Sequence, residues 1–154
     1  MEEKFFTVAK EAGREFISTE GLSVENEMEQ AIQTVETTKN DFVKGVPRTM
    51  IEVIMTSSYC GKLRNKINTL PNASANVVSY ERGIFNNTRV NSNVFLSAGV
   101  DYIVMVDRTI AQPAVSTVYD PKTIELSKAT GFTLFLDLGT KALMEDLIIY
   151  KATV

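Results

Sequence analysis

The sequence predicts an α+β fold: a mixed β-sheet with packed helices and a β-hairpin. Three observations carry this reading. Gly99-Val100-Asp101 feeds an apolar run, Tyr102-Ile103-Val104-Met105-Val106. The run has no helical spacing and falls far short of the ~20 residues of a membrane span, so it reads as a buried strand over 101–106. Val24, Met28, Ala31, Val35, Thr38 and Phe42 alternate steps of four and three, the spacing of one helix face. Asn86-Asn87 stands between Ile84-Phe85 and Arg89-Val90. Asparagine tolerates positive φ, so this segment predicts a tight hairpin.

The elements follow in chain order. Residues 2–17 read as an amphipathic helix, with Phe5, Ala9, Ala12 and Phe16 on one face. Within it Gly13 costs about 1 kcal/mol relative to alanine. Ser18-Thr19-Glu20-Gly21 ends it. The second helix is expected over 24–44. Ser23 is its N-cap, and Glu25 in its first turn suits the positive end of the helix dipole. Lys39 and Lys44 suit the other end, and Gly45 and Pro47 make a stop signal. The chain divides on this reading into an N-terminal helix, 1–22, and an α+β domain, 23–154.

Residues 50–55 are apolar except for Glu52 and predict a strand. Thr56-Ser57-Ser58 offers caps for a third helix, which places Tyr59, Leu63, Ile67 and Leu70 on one face. Lys62, Arg64 and Lys66 decorate its other side, and Pro71-Asn72 closes it. Strand, turn and helix together form a βα step. Residues 72–98 are polar and rich in asparagine, apart from the hairpin and a short strand expected at Val94-Phe95-Leu96. After the strand 101–106, a loop or arm is expected from Gln112 to Lys128, with a turn signal at Tyr119-Asp120-Pro121-Lys122. The last strands are expected at 131–136 and 146–151. Asp137-Leu138-Gly139 is the turn between them, and residues 141–144 extend the last strand.

Composition narrows the chemistry. Apolar content is 44% and charged content 23%, enough for a real core with no disorder signature. The 154 residues contain no histidine, which excludes Ser-His-Asp and Cys-His nucleophiles and histidine-ligated zinc within them. Acid–base work would fall to carboxylates, lysine or tyrosine. Cys60 is the sole cysteine and reads as an ordinary half-buried residue; no disulfide forms within the chain. Asp101, Asp107, Asp120 and Asp137 fall at expected strand ends and turns, where aspartate is a common residue; their spacing matches no EF-hand loop. Thr56-Ser57-Ser58 lacks the glycines and lysine of a nucleotide loop and reads as a cap. Met1-Glu2-Glu3-Lys4-Phe5-Phe6 does not read as a secretory signal, and the glycosylation patterns at Asn72 and Asn86 are discounted with it. No enzyme, cofactor or metal is therefore expected.

Charge is unevenly placed. Residues 1–46 hold ten acids against five bases, and residues 47–154 hold nine against eleven, for a net −3. An acidic helical arm on a near-neutral body argues against a nucleic-acid binder, which needs clustered positive charge. Arg82, Arg89 and Arg108 lie near the hairpin and the strand that follows. They suit phosphate contacts or carboxylates of a neighbouring subunit.

The order of elements over residues 24–154 resembles that of tailed-phage major capsid proteins, which have the Hong Kong phage-type capsid fold. The helix ending at Thr38–Phe42 with Val46-Pro47 is similar to the helix that precedes the family's axial-domain strand. Residues 50–55 and Ser57-Ser58-Tyr59 resemble its step from an apolar strand into a helix. Gly83-Ile84-Phe85-Asn86-Asn87 resembles its hairpin, residues 100–105 with Gln112-Pro113 its next strand and exit, and residues 147–151 its returning strand. Val106-Asp107-Arg108 stands where many members have a His-Lys step. The family's N-terminal arm, extended loop and most of its spine helix have no counterpart here, so a fragment or a shorter relative is expected.

The resemblance implies an axial domain with part of the peripheral domain, and a structural role without catalysis or cofactor. Its partners would be itself, as pentamers and hexamers in a shell that encloses DNA if the full-length arms are present, and neighbouring capsid subunits. It implies no membrane and no sequence-specific nucleic-acid binding. Location would be the virion, and the bacterial cytoplasm before assembly. The candidate subunit contacts are Arg82, Phe85, Asn86, Asn87, Arg89 and Arg108. The alternatives are a small phage accessory, head-completion or tail binding module, and a carboxylate-dependent hydrolase. An enzyme should present a concave pocket with convergent polar groups, and a binding module an exposed apolar patch.

Overall fold

A computed structural model of the chain describes residues 2–69, 78–79, 84–96, 98–118, 122–124, 129–131 and 134–153. The elements are α1 (Glu2–Ala12), β1 (Arg14–Glu15), α2 (Val24–Glu36), β2 (Ile51–Met55), α3 (Ser57–Asn68), β3 (Val78–Ser79), β4 (Ile84–Phe85) and β5 (Thr88–Ser92). After them come β6 (Val100–Val106), β7 (Ile110–Ala111), β8 (Ala114–Val118), β9 (Lys122–Ile124), β10 (Ala129–Gly131), β11 (Leu134–Leu138), β12 (Lys141–Ala142) and β13 (Ile148–Ala152). Single 3-10 turns at Arg48–Met50 and Glu145–Leu147 lead into β2 and β13.

A seven-stranded mixed sheet organises the molecule, in the order β1-β13-β6-β2-β5-β4-β3. β1 runs parallel to β13 and β2 parallel to β5; the other neighbours are antiparallel. The expected strands over 50–55, 101–106 and 146–151 are therefore adjacent in one sheet. β6 lies between β13 and β2, with Val104 opposite both Ile149 and Val53. Its unbroken apolar run follows from cover on both faces. Tyr102, Val104 and Val106 point into a core shared with Met28, Ile32 and Val35 of α2 and Tyr59, Leu63 and Ile67 of α3. Ile103 and Met105 point the other way, against Phe6 and Ala9 of α1 and Ile148 of β13. β2 has one alternation: Ile51, Val53 and Met55 are fully buried beneath α2 and α3, and Glu52 and Ile54 lie on the opposite face.

Several sequence expectations are corrected. α1 stops at Ala12, because the chain at Gly13 passes against α1 itself and β13. A Cβ there would lie 2.7 Å from Ala9 O and 2.9 Å from Ile148 Cγ2. The residues that follow become β1. The buried face of α1 is Phe6 and Ala9, one position away from the expected phase at Phe5; Phe16 is buried too, but beyond the helix.

α2 ends at Glu36, not at 44. Thr37 Oγ1 donates to Gln33 O and Thr38 Oγ1 to Thr34 O. Asn40 Oδ1 then accepts the backbone N–H of Phe42 and of Val43 and closes a tight turn. Gly45, at φ +93°, serves the return of this small hairpin instead of capping the helix. Its N–H bonds Thr38 O, and the next N–H, of Val46, bonds Glu36 O. Phe42, expected on the buried face, is 89% exposed.

Val94-Phe95-Leu96 is a turn, not a strand, and is closed by the Phe95 N–H on Asn93 Oδ1. The arm expected from Gln112 to Lys128 contains β8 and β9, which pair with β11 and β10 as two-stranded ribbons. The strand expected at 131–136 is split between β10 and β11, and Asp137 and Leu138 belong to β11 instead of a turn. Residues 141–144 do not extend β13, because β12 pairs with β7. Leu70, Pro71-Asn72 and most of the Tyr119–Lys122 turn lie outside the described residues.

Candidate functional site

The hairpin expected at Asn86-Asn87 forms between β4 and β5, with Phe85 opposite Thr88. Asn86 and Asn87 take φ of +47° and +65°, the two left-handed positions a two-residue turn of this hand requires. The turn packs back on α2: Asn86 Nδ2 donates to Glu29 Oε2 at 2.7 Å. Glu29 also receives Arg48 through both guanidinium ends, Nη1 to Oε2 at 3.1 Å and Nη2 to Oε1 at 2.5 Å. Arg48 Nε reaches Glu36 Oε2 at 3.0 Å. One arginine thus joins α2, the turn entering β2 and the hairpin tip. The Arg48 guanidinium, with help from the Asn86 amide, holds the Glu29 carboxyl below the usual carboxylate range against the opposing effect of burial. The same pairing raises Arg48.

A second ion pair spans the sheet at this end. Arg89 Nη2 meets Asp107 Oδ2 at 2.6 Å, across the start of β2, where the Asp107 N–H bonds Met50 O. Arg108 follows in the β6–β7 turn, exposed and at φ +67°. An open groove of about 350 Å³ lies here, lined by Arg48, Thr49, Asn87, Thr88 and Arg89. Asn87, Arg89 and Arg108 therefore share one exposed pole of the sheet. Asn86 is half-buried in the contact with Glu29, and Phe85, only 4% exposed, belongs to the core. Arg82 lies outside the described residues.

The same pole carries a groove of mixed polarity that sequence reading misses. It holds about 310 Å³ between Asn40, Phe42, Leu143, Met144, Glu145 and Asp146. Leu143 is 61% exposed. The Leu143 N–H bonds Thr109 O, and Asn40 Nδ2 reaches Asp146 Oδ2 at 3.4 Å. No local pattern announces it, because Phe42 fits the helical spacing of α2 and leaves that face only when the helix ends early. At the opposite pole, where the Asn93 N–H bonds Met55 O, Val94 stands 80% exposed.

Polar groups inside the molecule serve packing. Glu27 Oε1 accepts Tyr59 OH at 2.9 Å and Tyr102 OH at 3.3 Å, and Lys151 Nζ stands 3.9 Å from Oε2. The two rings lie 4.9 Å apart. Burial first, then neighbouring Glu27 and, for Tyr102, Tyr59, push both hydroxyls above the ordinary phenol range. Thr56 is the N-cap of α3, and its side chain accepts the Tyr59 N–H at 3.3 Å. Asp101, the second residue of β6, and Asp107, just past its end, lie at opposite ends of the strand and do not converge; Asp101 Oδ1 accepts Thr153 Oγ1. Asp120 lies outside the described residues, as does the side chain of Asp137. Among the described residues there is no cluster of three or more metal-ligating side chains, and no helix is long and apolar enough to cross a membrane.

No protein-family model and no curated protein matches the chain. Solved structures do. A chain from Mycobacterium phage Che8 superposes with a TM-score of 0.64 at 14% identity, over 97% of this chain and 56% of that one. A chain from the capsid of cyanophage P-SCSP1u gives 0.55 at 10% identity, over 85% and 46%. A virus-like particle from Pyrococcus furiosus gives 0.55 at 12% identity, over 97% and 60%. The chain thus has an α+β capsid fold and spans about half the length of the chains it matches.

Proposed function

We propose that the chain is a capsid-related structural protein, a major capsid protein or a part of one, that forms subunit contacts in a phage or prophage shell enclosing DNA. The observation that carries this reading is the superposition of the chain on the cyanophage capsid and virus-like-particle chains, each at a TM-score of 0.55, beside that of 97% of the chain on the Che8 phage chain at 0.64. The site geometry supports it. Polar and charged groups are tied into pairs that fix a hairpin and an exposed pole, and among the described residues Asp101 and Asp107 do not converge around a reacting centre. Residues 23–154 correspond on this reading to an axial-domain-like unit, and residues 1–22 to an N-terminal helix from the peripheral or spine region. Asn87, Arg89 and Arg108 at the hairpin pole are contact residues, with Arg82 beside them in sequence. The partners are copies of the chain, as pentamers and hexamers where the full-length arms are present, and neighbouring capsid subunits; no catalysis or cofactor is involved. The protein resides in the virion, and in the bacterial cytoplasm before assembly.

Sedimentation velocity on the full chain at rising concentration, with negative-stain microscopy of the same samples, tests the reading. Concentration-dependent rings or shells are expected, weakened by Arg89→Glu and Arg108→Glu. A hydrolase activity lost on Asp→Asn substitution overturns it.

A further inference from the structure

We infer that Glu27 is a register pin: its carboxylate, shared by the Tyr59 and Tyr102 hydroxyls, holds α2 in one seat on the sheet that the apolar residues of the helix do not select by themselves. The pin joins distant segments. Glu27 comes from α2, Tyr59 from α3 and Tyr102 from β6, and Glu27 Oε1 accepts both hydroxyls. Lys151 of β13 stands by Oε2 and donates to Ser18 Oγ, between β1 and α2. Tyr102 is fully buried and Tyr59 nearly so, so a hydroxyl that loses the carboxylate is left inside the molecule without a partner.

The need for a pin comes from the sequence of α2, whose apolar side nearly repeats after one turn. Met28, Ala31, Ile32 and Val35 are fully buried in the core beneath the helix. If the helix advanced by four residues, Val24 would take the place of Met28, Met28 that of Ile32, and Ala31 that of Val35. Each exchange is apolar for apolar, which cores tolerate. The rim repeats as well: Glu25 would replace Glu29 opposite Arg48, and the Arg48 bond to Glu36 would be given up where that side chain is 34% exposed. Residues 17–23 and 37–46 on either side are long enough to absorb a turn of about 5.4 Å. Glu27 breaks the repeat at its centre. It would enter the place of fully buried Ala31 as an unpaired carboxylate, and Ser23 would stand where two tyrosine hydroxyls now find their acceptor. Burying a lone charge and stranding two hydroxyls is far costlier than a change of apolar neighbours. A polar group satisfied in one register and not in the next is the device by which helix contacts are made unique.

Two variants of the full chain separate a pin from ordinary packing. Glu27→Gln keeps an acceptor for the hydroxyls. Glu27→Ala combined with Tyr59→Phe and Tyr102→Phe removes the network and lets residue 27 fit the place of Ala31. NMR relaxation dispersion and inter-residue contacts read the seat of α2. The parent and Glu27→Gln are expected to give flat dispersion in α2 and one set of contacts between α2 and β6. The triple variant should keep the parent circular dichroism spectrum and show exchange centred on α2, with a second seat populated at about 1–10% or more. If the triple variant shows a single seat with the parent contacts, the apolar residues select it and the inference fails. If Glu27→Gln exchanges as the triple variant does, accepting the hydroxyls is not what holds the helix, and the inference fails again. A triple variant that does not fold overturns it too, because a second seat requires that α2 pack on apolar contacts alone.

Discussion

Asn86 and Glu29 stand 57 positions apart in sequence, and the amide of one donates to the carboxylate of the other at 2.7 Å. A turn that local sequence makes possible is fixed in place by a helix far up the chain. Asn86→Ala removes this bond and puts a Cβ-bearing residue without a local hydrogen-bonding side chain at φ +47°. It is expected to cost about 1–3 kcal/mol, from the left-handed backbone and the half-buried carboxylate that loses a donor. Asn87→Gly relaxes the same turn at φ +65° without touching Glu29 and should be neutral or slightly stabilising. Urea unfolding of the two variants beside the parent checks both directions.

The same carboxylate sets an acid limit. Its folded-state pKa lies below the ordinary 4.5, so its contribution to stability is complete above that value and is lost as pH falls through the lowered one. Chemical denaturation at a series of pH values below 4.5 should show falling stability, with a smaller slope in Glu29→Gln.

At the alkaline end the buried tyrosines govern. Both hydroxyls are raised above 10.0, so the unfolded chain releases their protons first. Their contribution is fully present below pH 10.0 and declines as pH rises beyond it. The double variant Tyr59→Phe, Tyr102→Phe should show a shallower alkaline decline in the same measurement.

Ile103 is fully buried on the α1 side of the sheet, and Leu147, 2% exposed, lies beneath α2 and α3. Substituting either by alanine should cost about 2–5 kcal/mol, the range for cavities in packed cores. Equilibrium denaturation that finds almost no loss for either would contradict the two-faced burial of the sheet.

What the sequence disclosed and what it hid separate along a physical line. Strands β2, β6 and β13 announce themselves because burial forces their composition: alternation at Ile51, Val53 and Met55, and an unbroken run in β6 covered on both faces. Asn86-Asn87 is legible because few residues accept two consecutive left-handed positions. The end of α2 is not, because Phe42 keeps perfect helical spacing while Thr37, Thr38 and Asn40 divert the backbone through side-chain bonds. The role of Arg48 is invisible for another reason. Its partners Glu29 and Glu36 become neighbours only after the 37–47 loop turns back. Phe85 reads as a hairpin-tip residue on spacing alone, yet the sheet's fold onto α2 and α3 buries it.

The pairing of Arg14 with Ile149 in β1 and β13 has a consequence for how the molecule is reached from its unfolded chain. The innermost strands of the sheet also come from residues near 51, 104 and 149, so few of its contacts are local. Such topologies require large loops to close before any ladder forms, which slows the search and raises contact order. α1 can form early as a helix, but the ridge its Phe6 and Ala9 pack against exists only once Ile148 has arrived. Refolding should therefore be slow and single-phased in its β signal, with the edge of β6 open to mispairing until the last strand docks.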